Sequence, residues 1–158
     1  SKWNFLRFKP GLVGGHCLPV DPYYFAHICR KNNFTTKITL AGRSINDSMT
    51  SIVKKNIFDE FKKYKIGNKK RILICGLTYK NDVSDIRNSL SFKIFKNIKK
   101  SNIKGFDPLL DYNFAKKQGL VIDLKEFFKF DVYVILTKHK IVENLLKKLK
   151  DKIIIRPI

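Results

Sequence analysis

Apolar positions follow two regimes along the chain. Between about Thr36 and Lys65, residues Ile38, Ala41, Ile45, Met49, Ile52 and Val53, then Ile57, Phe58 and Phe61, recur at spacings of three and four. That is the period of a helix with one apolar face. Such a helix spans roughly 40 Å, more than a small core needs, so one face is expected to pack on another domain or subunit. Ile66-Gly67-Asn68 ends it, and from Lys70 the period changes. Compact apolar runs at RILICGL (71–77), NIKGF (102–106), DVYVILT (131–137) and KIIIRP (152–157) predict strands, with a possible further strand at LVID (120–123). Helical patterns lie between them, at Asn88–Lys100, 111–118 and Lys140–Leu149. Strands alternating with helices of this size predict an α/β fold with a parallel, doubly wound sheet after the long helix.

The start of the chain has no such period. Residues 1–20 are punctuated by Gly and Pro, and Asp21-Pro22 then predicts an N-cap followed by Pro at the first helical position. That helix runs to about Lys31, and Asn32-Asn33 closes it. Three units result: a loop and helix at 1–35, the long helix at 36–66, and an α/β unit at 67–158.

Composition narrows the class. A hydrophobic content of 44% predicts a folded chain. Apolar runs of about six residues at most are far short of a membrane span. SKWNFLRFKP lacks the apolar segment of a signal peptide, and a first residue Ser rather than Met suggests a piece of something larger. Cys17, Cys29 and Cys75 make neither a CxxC nor an even disulfide framework, which favours a reducing cytoplasm. The net charge of +20, from 33 Lys and Arg against 13 Asp and Glu, raises a non-catalytic basic module binding nucleic acid as the alternative class. The lysines are scattered, however, with no aromatic-and-basic stripe. What survives is a positive field that favours phosphorylated, anionic ligands.

Two stretches hold candidate chemistry. In GLVGGHCLPVDPYY (11–24), Cys17 sits in a glycine-rich loop four residues before a helix, where backbone N–H groups and the helix dipole favour a thiolate. Its bland alternative is a small buried hydrophobe. Gly11, Gly14 and Gly15 would let a ligand approach the backbone, and Asp21 offers a carboxylate to orient water. His16 reads as a loop residue, Cys29 and Cys75 as core, and His27 and His139 have no partners at metal-ligand spacing. In GLTYKNDVSDIRNS (76–89), between a strand end and a helix, Lys80 and Arg87 suit phosphate oxygens and Tyr79 suits a ring. Asp82 and Asp85 would steady those cations or bond a ribose hydroxyl. A solvated turn with incidental ion pairs explains the same residues. No G-x-G-x-x-G occurs in the chain, so a nicotinamide site of that kind is not expected here.

Taken together, WNFLRFKPGLVGGHCLPVDPYYF, LAGRSINDSM and ICGLTYKNDVSDIRNS, with FDP at 106–108 and TKH at 137–139, resemble the UDP-glucose/GDP-mannose dehydrogenase superfamily, in its UDP-N-acetylhexosamine 6-dehydrogenase branch. The resemblance covers essentially the whole chain. It implies a dimerisation role for the long helix, giving a homodimer, and a Rossmann-like C-terminal domain binding the UDP of a UDP-N-acetylhexosamine. It implies a two-step, NAD-dependent oxidation of a sugar C6 alcohol to a uronate, for polysaccharide synthesis. Cys17 matches the family's catalytic cysteine and Asp21 the aspartate that assists water. Gly11 to Gly15 match the sugar-binding loop, and Lys80 matches the UDP-contacting lysine. Val20 stands where glucose-type relatives carry Lys, which favours the N-acetylhexosamine branch. The family's N-terminal NAD-binding domain has no counterpart in this sequence, so the isolated chain is expected to be inactive.

Overall fold

Four short, largely apolar runs become one parallel sheet in the computed structural model, which describes residues 11–158. The readings made for residues 1–10 lie outside that range. Strands β1 (Ile72–Cys75), β2 (Ile103–Phe106), β3 (Val132–Ile135) and β4 (Ile153–Ile155) stand in the order β2-β1-β3-β4. Ile72 is in register with Ile103 on one side and Val132 on the other, and Val132 with Ile153.

Successive strand residues face opposite sides of the sheet, and both sides are covered. Ile72, Ile74, Val132 and Val134 join a core with Ile94 and Phe95 of α3 (Leu90–Ile98) and with Val53, Ile57 and Phe61 of α2 (Lys37–Lys63). Ala115 of α4 (Tyr112–Gln118) closes that core. Leu73, Cys75, Tyr133 and Ile135 face a second core with Phe127 of α5 (Leu124–Phe127) and Val142, Leu145 and Leu146 of α6 (Lys140–Leu146). Burial on both faces is why the strands read as continuous apolar runs rather than alternating ones. The sheet is Rossmann-like. The chain leaves β1 toward β2, then returns to place β3 on the other flank, so a crevice opens at the carboxyl ends of β1 and β3, where open α/β sheets take ligands. Gly76 begins that crevice at φ +79°, and a β-carbon there would overlap the Thr137 carbonyl.

Three local expectations need correction. LVID is not a strand. Val121 donates one backbone bond to Gly105 at 2.8 Å, but the Asp123 carboxylate then accepts Lys125 N–H at 2.7 Å and starts α5. The N-cap of α1 (Asp21–Lys31) is Val20, so Asp21 is the first helical residue and caps nothing with its side chain. Helix α2 carries two stripes rather than one. Val53, Ile57 and Phe61 are buried as expected, but the buried stripe continues upstream through Thr50, Asn46 and Arg43. Ile38, Ile45 and Ile52 lie roughly a third of a turn away and are 90%, 64% and 45% exposed.

Candidate functional site

The two chemistry-bearing loops meet. Gly15 N–H donates to the Arg87 carbonyl at 3.2 Å, and Asn88 Nδ2 donates to the Gly15 carbonyl at 3.0 Å. Gly14 lies on the Asn88 backbone and Tyr79 Cβ, and Gly15, at φ +100°, lies against the Tyr79 ring. A β-carbon at Gly15 would come within 2.8 Å of that ring. These glycines are used for close packing of loop on loop, with half-buried Tyr79 against Gly15.

Helix α2 grips the other side of the Cys17 loop. Asn46 Nδ2 donates to the Val13 carbonyl at 3.2 Å, and Arg43 donates to the Leu18 carbonyl at 3.5 Å. Arg43 is set by Asp47 at 3.0 Å, and Asp47 also accepts the Tyr23 hydroxyl of α1 at 2.9 Å. The polar half of the buried α2 stripe therefore satisfies loop carbonyls, as buried backbone groups require. Downstream, the Cys17 carbonyl accepts from both Val20 and Asp21 N–H, at 2.8 and 2.9 Å. That turn feeds α1 and holds the Asp21 backbone about one helical turn from Cys17. The Cys17 side chain is exposed.

Arg87 and Asp85 form an exposed pair whose closest approach is 2.6 Å. The guanidinium hydrogen bond holds the Asp85 carboxyl below its ordinary value, and the same contact raises Arg87. The guanidinium also lies within electrostatic reach of Tyr79 and Cys17. Lys80 is exposed and makes no ion pair among the described residues. A pocket of about 360 Å³ opens beside the loop contact, lined by Val13, Pro19, Tyr23, Arg43 and Lys93 among others. A larger cavity of about 580 Å³, at Phe58, Lys62, Lys65 and Lys100, lies by the end of α2 and the start of β2 and touches none of these residues. The chemistry of the loops marks the site better than cavity size does.

Beneath the loops the crevice is filled by a buried polar network that the sequence reading missed. Asp107 Oδ2 accepts Leu77 and Thr78 N–H at 2.6 and 3.0 Å, and its Oδ1 accepts Leu109 N–H at 3.0 Å. His139, fully buried, has Nε2 3.1 Å from Asp107 Oδ2 and 3.0 Å from Thr78 Oγ1. Its Nδ1 accepts Asp82 N–H at 2.9 Å, which assigns the ring proton to Nε2 and makes Asp107 its acceptor. Burial pushes the Asp107 carboxyl up, but the His139 contact and the backbone donors outweigh it, and the net displacement is downward. The 76–89 loop is thus pinned to the sheet through groups with no freedom to reorganise cheaply.

Of the residues singled out from sequence, Cys17, Asp21, Gly14, Gly15, Tyr79 and Arg87 come together, with Lys80 next to Tyr79 in the same loop. Gly11 does not join them, and a β-carbon there would meet open space. Asp85 steadies Arg87 as expected. Asp82 steadies no cation, since its carboxylate accepts Lys140 N–H at 2.8 Å at the start of α6. Cys29 is half-buried rather than core, while Cys75 is fully buried and its thiol is pushed well up, by burial first and then by Asp107. His16 is an exposed loop residue. The turn after β1 carries a single glycine, Gly76, and beneath it Thr78, Asp107 and His139 bond one another. Among the described residues, no helix is long and apolar enough to cross a membrane.

The model for the UDP-glucose/GDP-mannose dehydrogenase family, UDP binding domain, matches residues 73–157, and that for the same family's central domain matches residues 1–48. Protein CapL of Staphylococcus aureus is 40% identical over 145 residues, covering 89% of this chain and 34% of that protein. The UDP-N-acetyl-D-glucosamine 6-dehydrogenase of Salmonella typhi is 36% identical, with the same coverage of 89% and 34%. The structure of the UDP-D-ManNAc dehydrogenase from Pyrococcus horikoshii superposes with a TM-score of 0.71 at 27% identity, covering 96% of this chain and 36% of that one. The chain spans about a third of the length of these relatives. With both domain models matched in order along it, the chain belongs to the UDP-glucose/GDP-mannose dehydrogenase family.

Proposed function

We propose that the chain is the C-terminal part of a nucleotide-sugar 6-dehydrogenase that converts the C6 alcohol of a UDP-N-acetylhexosamine to a uronate, for polysaccharide synthesis in the cytoplasm. Residues 1–35 carry the nucleophile loop and its helix, 36–66 a dimerisation helix, and 67–158 the UDP-binding unit. The observation that carries this reading is the docking of the Gly14-Gly15 loop on Tyr79, Arg87 and Asn88, which joins a thiol to two exposed cations. Lys80 and Arg87 then take the diphosphate, and the sugar extends toward Cys17. The exposed ribbon of Ile38, Ile45 and Ile52 supports pairing of α2 with a second copy.

In this mechanism the Cys17 sulfur adds to a C6 aldehyde. The S–C bond forms, the carbonyl oxygen gains a proton, and a thiohemiacetal holds the sugar in place. When bound by the rest of the protein, NAD would accept the hydride of each oxidation, and the thiohemiacetal hydroxyl gives up its proton as the thioester carbonyl forms. At the thioester, Asp21 orients a water and takes its proton as the oxygen attacks the carbonyl. Cys17 leaves as thiolate and the uronate is released.

Calorimetric titration with UDP tests the nucleotide half of this reading on the chain itself. Weak, saturable binding is expected, with affinity falling about tenfold in Lys80→Ala through loss of one charge-assisted contact. No turnover of the UDP-sugar is expected from the isolated chain. Absence of saturable binding, or binding indifferent to Lys80→Ala, would contradict the assignment.

A further inference from the structure

We propose that Asn88 is a positioning residue that couples the nucleotide-binding loop to Cys17, so that nucleotide held at Lys80 and Arg87 is felt at the thiol. The proposal rests on the UDP reading above and assigns regulation to the same site.

The geometry makes Gly15 the point of attachment. Both of its backbone polar groups are taken by consecutive residues, its N–H by the Arg87 carbonyl at 3.2 Å and its carbonyl by Asn88 Nδ2 at 3.0 Å. Only His16 separates Gly15 from Cys17, so there is little slack in the connection. The anchor is rigid. Immediately after Asn88, Ser89 is buried, donates to the Leu77 carbonyl at 2.6 Å and accepts Phe92 N–H at 3.2 Å to cap α3. On the far side of Gly15, Asn46 of α2 holds the Val13 carbonyl. The nucleophile loop therefore has one fixed point on α2 and one on the nucleotide loop.

Residue identity at position 88 is demanded twice. The backbone sits at φ +50°, a conformation that Asn and Gly tolerate and most side chains avoid. The side chain must also donate, because its partner is a carbonyl. Asn meets both demands. The Arg87 guanidinium is engaged with Asp85. A phosphate that draws the guanidinium away acts on the very residue whose carbonyl holds Gly15, and Asn88 transmits the movement to the loop. Coupling of this kind requires different contacts in the two states, and the exchange of Asp85 for phosphate supplies them.

The test is the rate of Cys17 alkylation by iodoacetamide in this chain, read on the Cys17 peptide by mass spectrometry, with and without UDP. Wild type is compared with Asn88→Gly, which keeps the backbone conformation, and Asn88→Asp, which keeps the side-chain shape but offers an acceptor where a donor is needed. Affinity for UDP is measured in each by titration, and alkylation at buried Cys75 reports any unfolding. In wild type, UDP is expected to slow Cys17 alkylation about fivefold, the ratio one net hydrogen bond carries. Both variants are expected to bind UDP within about twofold of wild type yet show less than about twofold slowing. Full slowing in both variants, or none in a wild type that binds UDP, would overturn the coupling. A wild type that fails to bind UDP would overturn the functional reading and the coupling together, and the titration separates that failure from the others.

Discussion

In the longer enzyme proposed above, Cys17→Ser is expected to lower uronate formation by at least about a thousandfold while leaving the affinity for UDP within about twofold of wild type. The two halves of this expectation have different origins. Serine is nearly isosteric, and the contacts that shape the loop do not involve the thiol. Gly15 is held by Arg87 and Asn88, Val13 by Asn46, and the Cys17 carbonyl by Val20 and Asp21. The nucleotide contacts assigned to Lys80 and Arg87 likewise stay in place. What is lost is a nucleophile that forms and leaves a thioester at neutral pH, since a serine hydroxyl is far less acidic than a thiol and a worse leaving group. Uronate measured directly by mass spectrometry checks the loss, and titration with UDP checks the retained binding. Uronate formation within about twofold of wild type would remove Cys17 from the mechanism.

The second large effect concerns stability. Asp107→Ala is expected to cost about 3–5 kcal/mol near neutral pH, because it leaves the N–H groups of Leu77, Thr78 and Leu109 and the His139 ring without their acceptor in a dry interior. The pH dependence follows from the direction of the Asp107 displacement. Its carboxyl is held below the ordinary carboxylate range in the folded chain. Its stabilising contribution is therefore fully present above the unfolded value of about 4 and fades as pH falls through the lower folded value. The gap between wild type and Asp107→Ala should narrow correspondingly between about pH 5 and pH 2. Urea unfolding across that range measures it. A gap that is constant with pH, or below about 1 kcal/mol near neutrality, would contradict the role of the network.

Which parts of this architecture were legible in the sequence has a physical explanation. The strands were legible because a parallel sheet covered on both faces selects unbroken apolar runs, and ILIC and VYVI are of that kind. The Cys17 and 76–89 loops stood out because Gly, Pro and charge crowd there without a period. The faces of α2 were legible only downstream, where Val53, Ile57 and Phe61 are buried as the pattern predicts. Hydropathy points to Ile38, Ile45 and Ile52, yet those are exposed, while Arg43 and Asn46 are buried to serve carbonyls of the Cys17 loop. A polar residue buried for one hydrogen bond leaves no mark in a periodic pattern. Asp107 and His139 were missed for a different reason. They follow separate strands, and only the parallel topology, which places all strand carboxyl ends on one edge, brings them together. Asn88 leaves the faintest trace, because its positive φ and its donor role become visible only once the two loops are seen in contact.

The central claim is that Cys17 forms a covalent bond to the sugar while residues of the 76–89 loop hold the nucleotide. The most direct measurement is acid quenching of the longer enzyme during turnover of UDP-N-acetylglucosamine and NAD, followed by peptide mass spectrometry. A uronyl adduct on the peptide containing Cys17, absent when NAD is omitted and absent in Cys17→Ser, is the predicted result. Steady uronate production with no adduct on that peptide, in an enzyme whose Cys17→Ser form remains active, would contradict it.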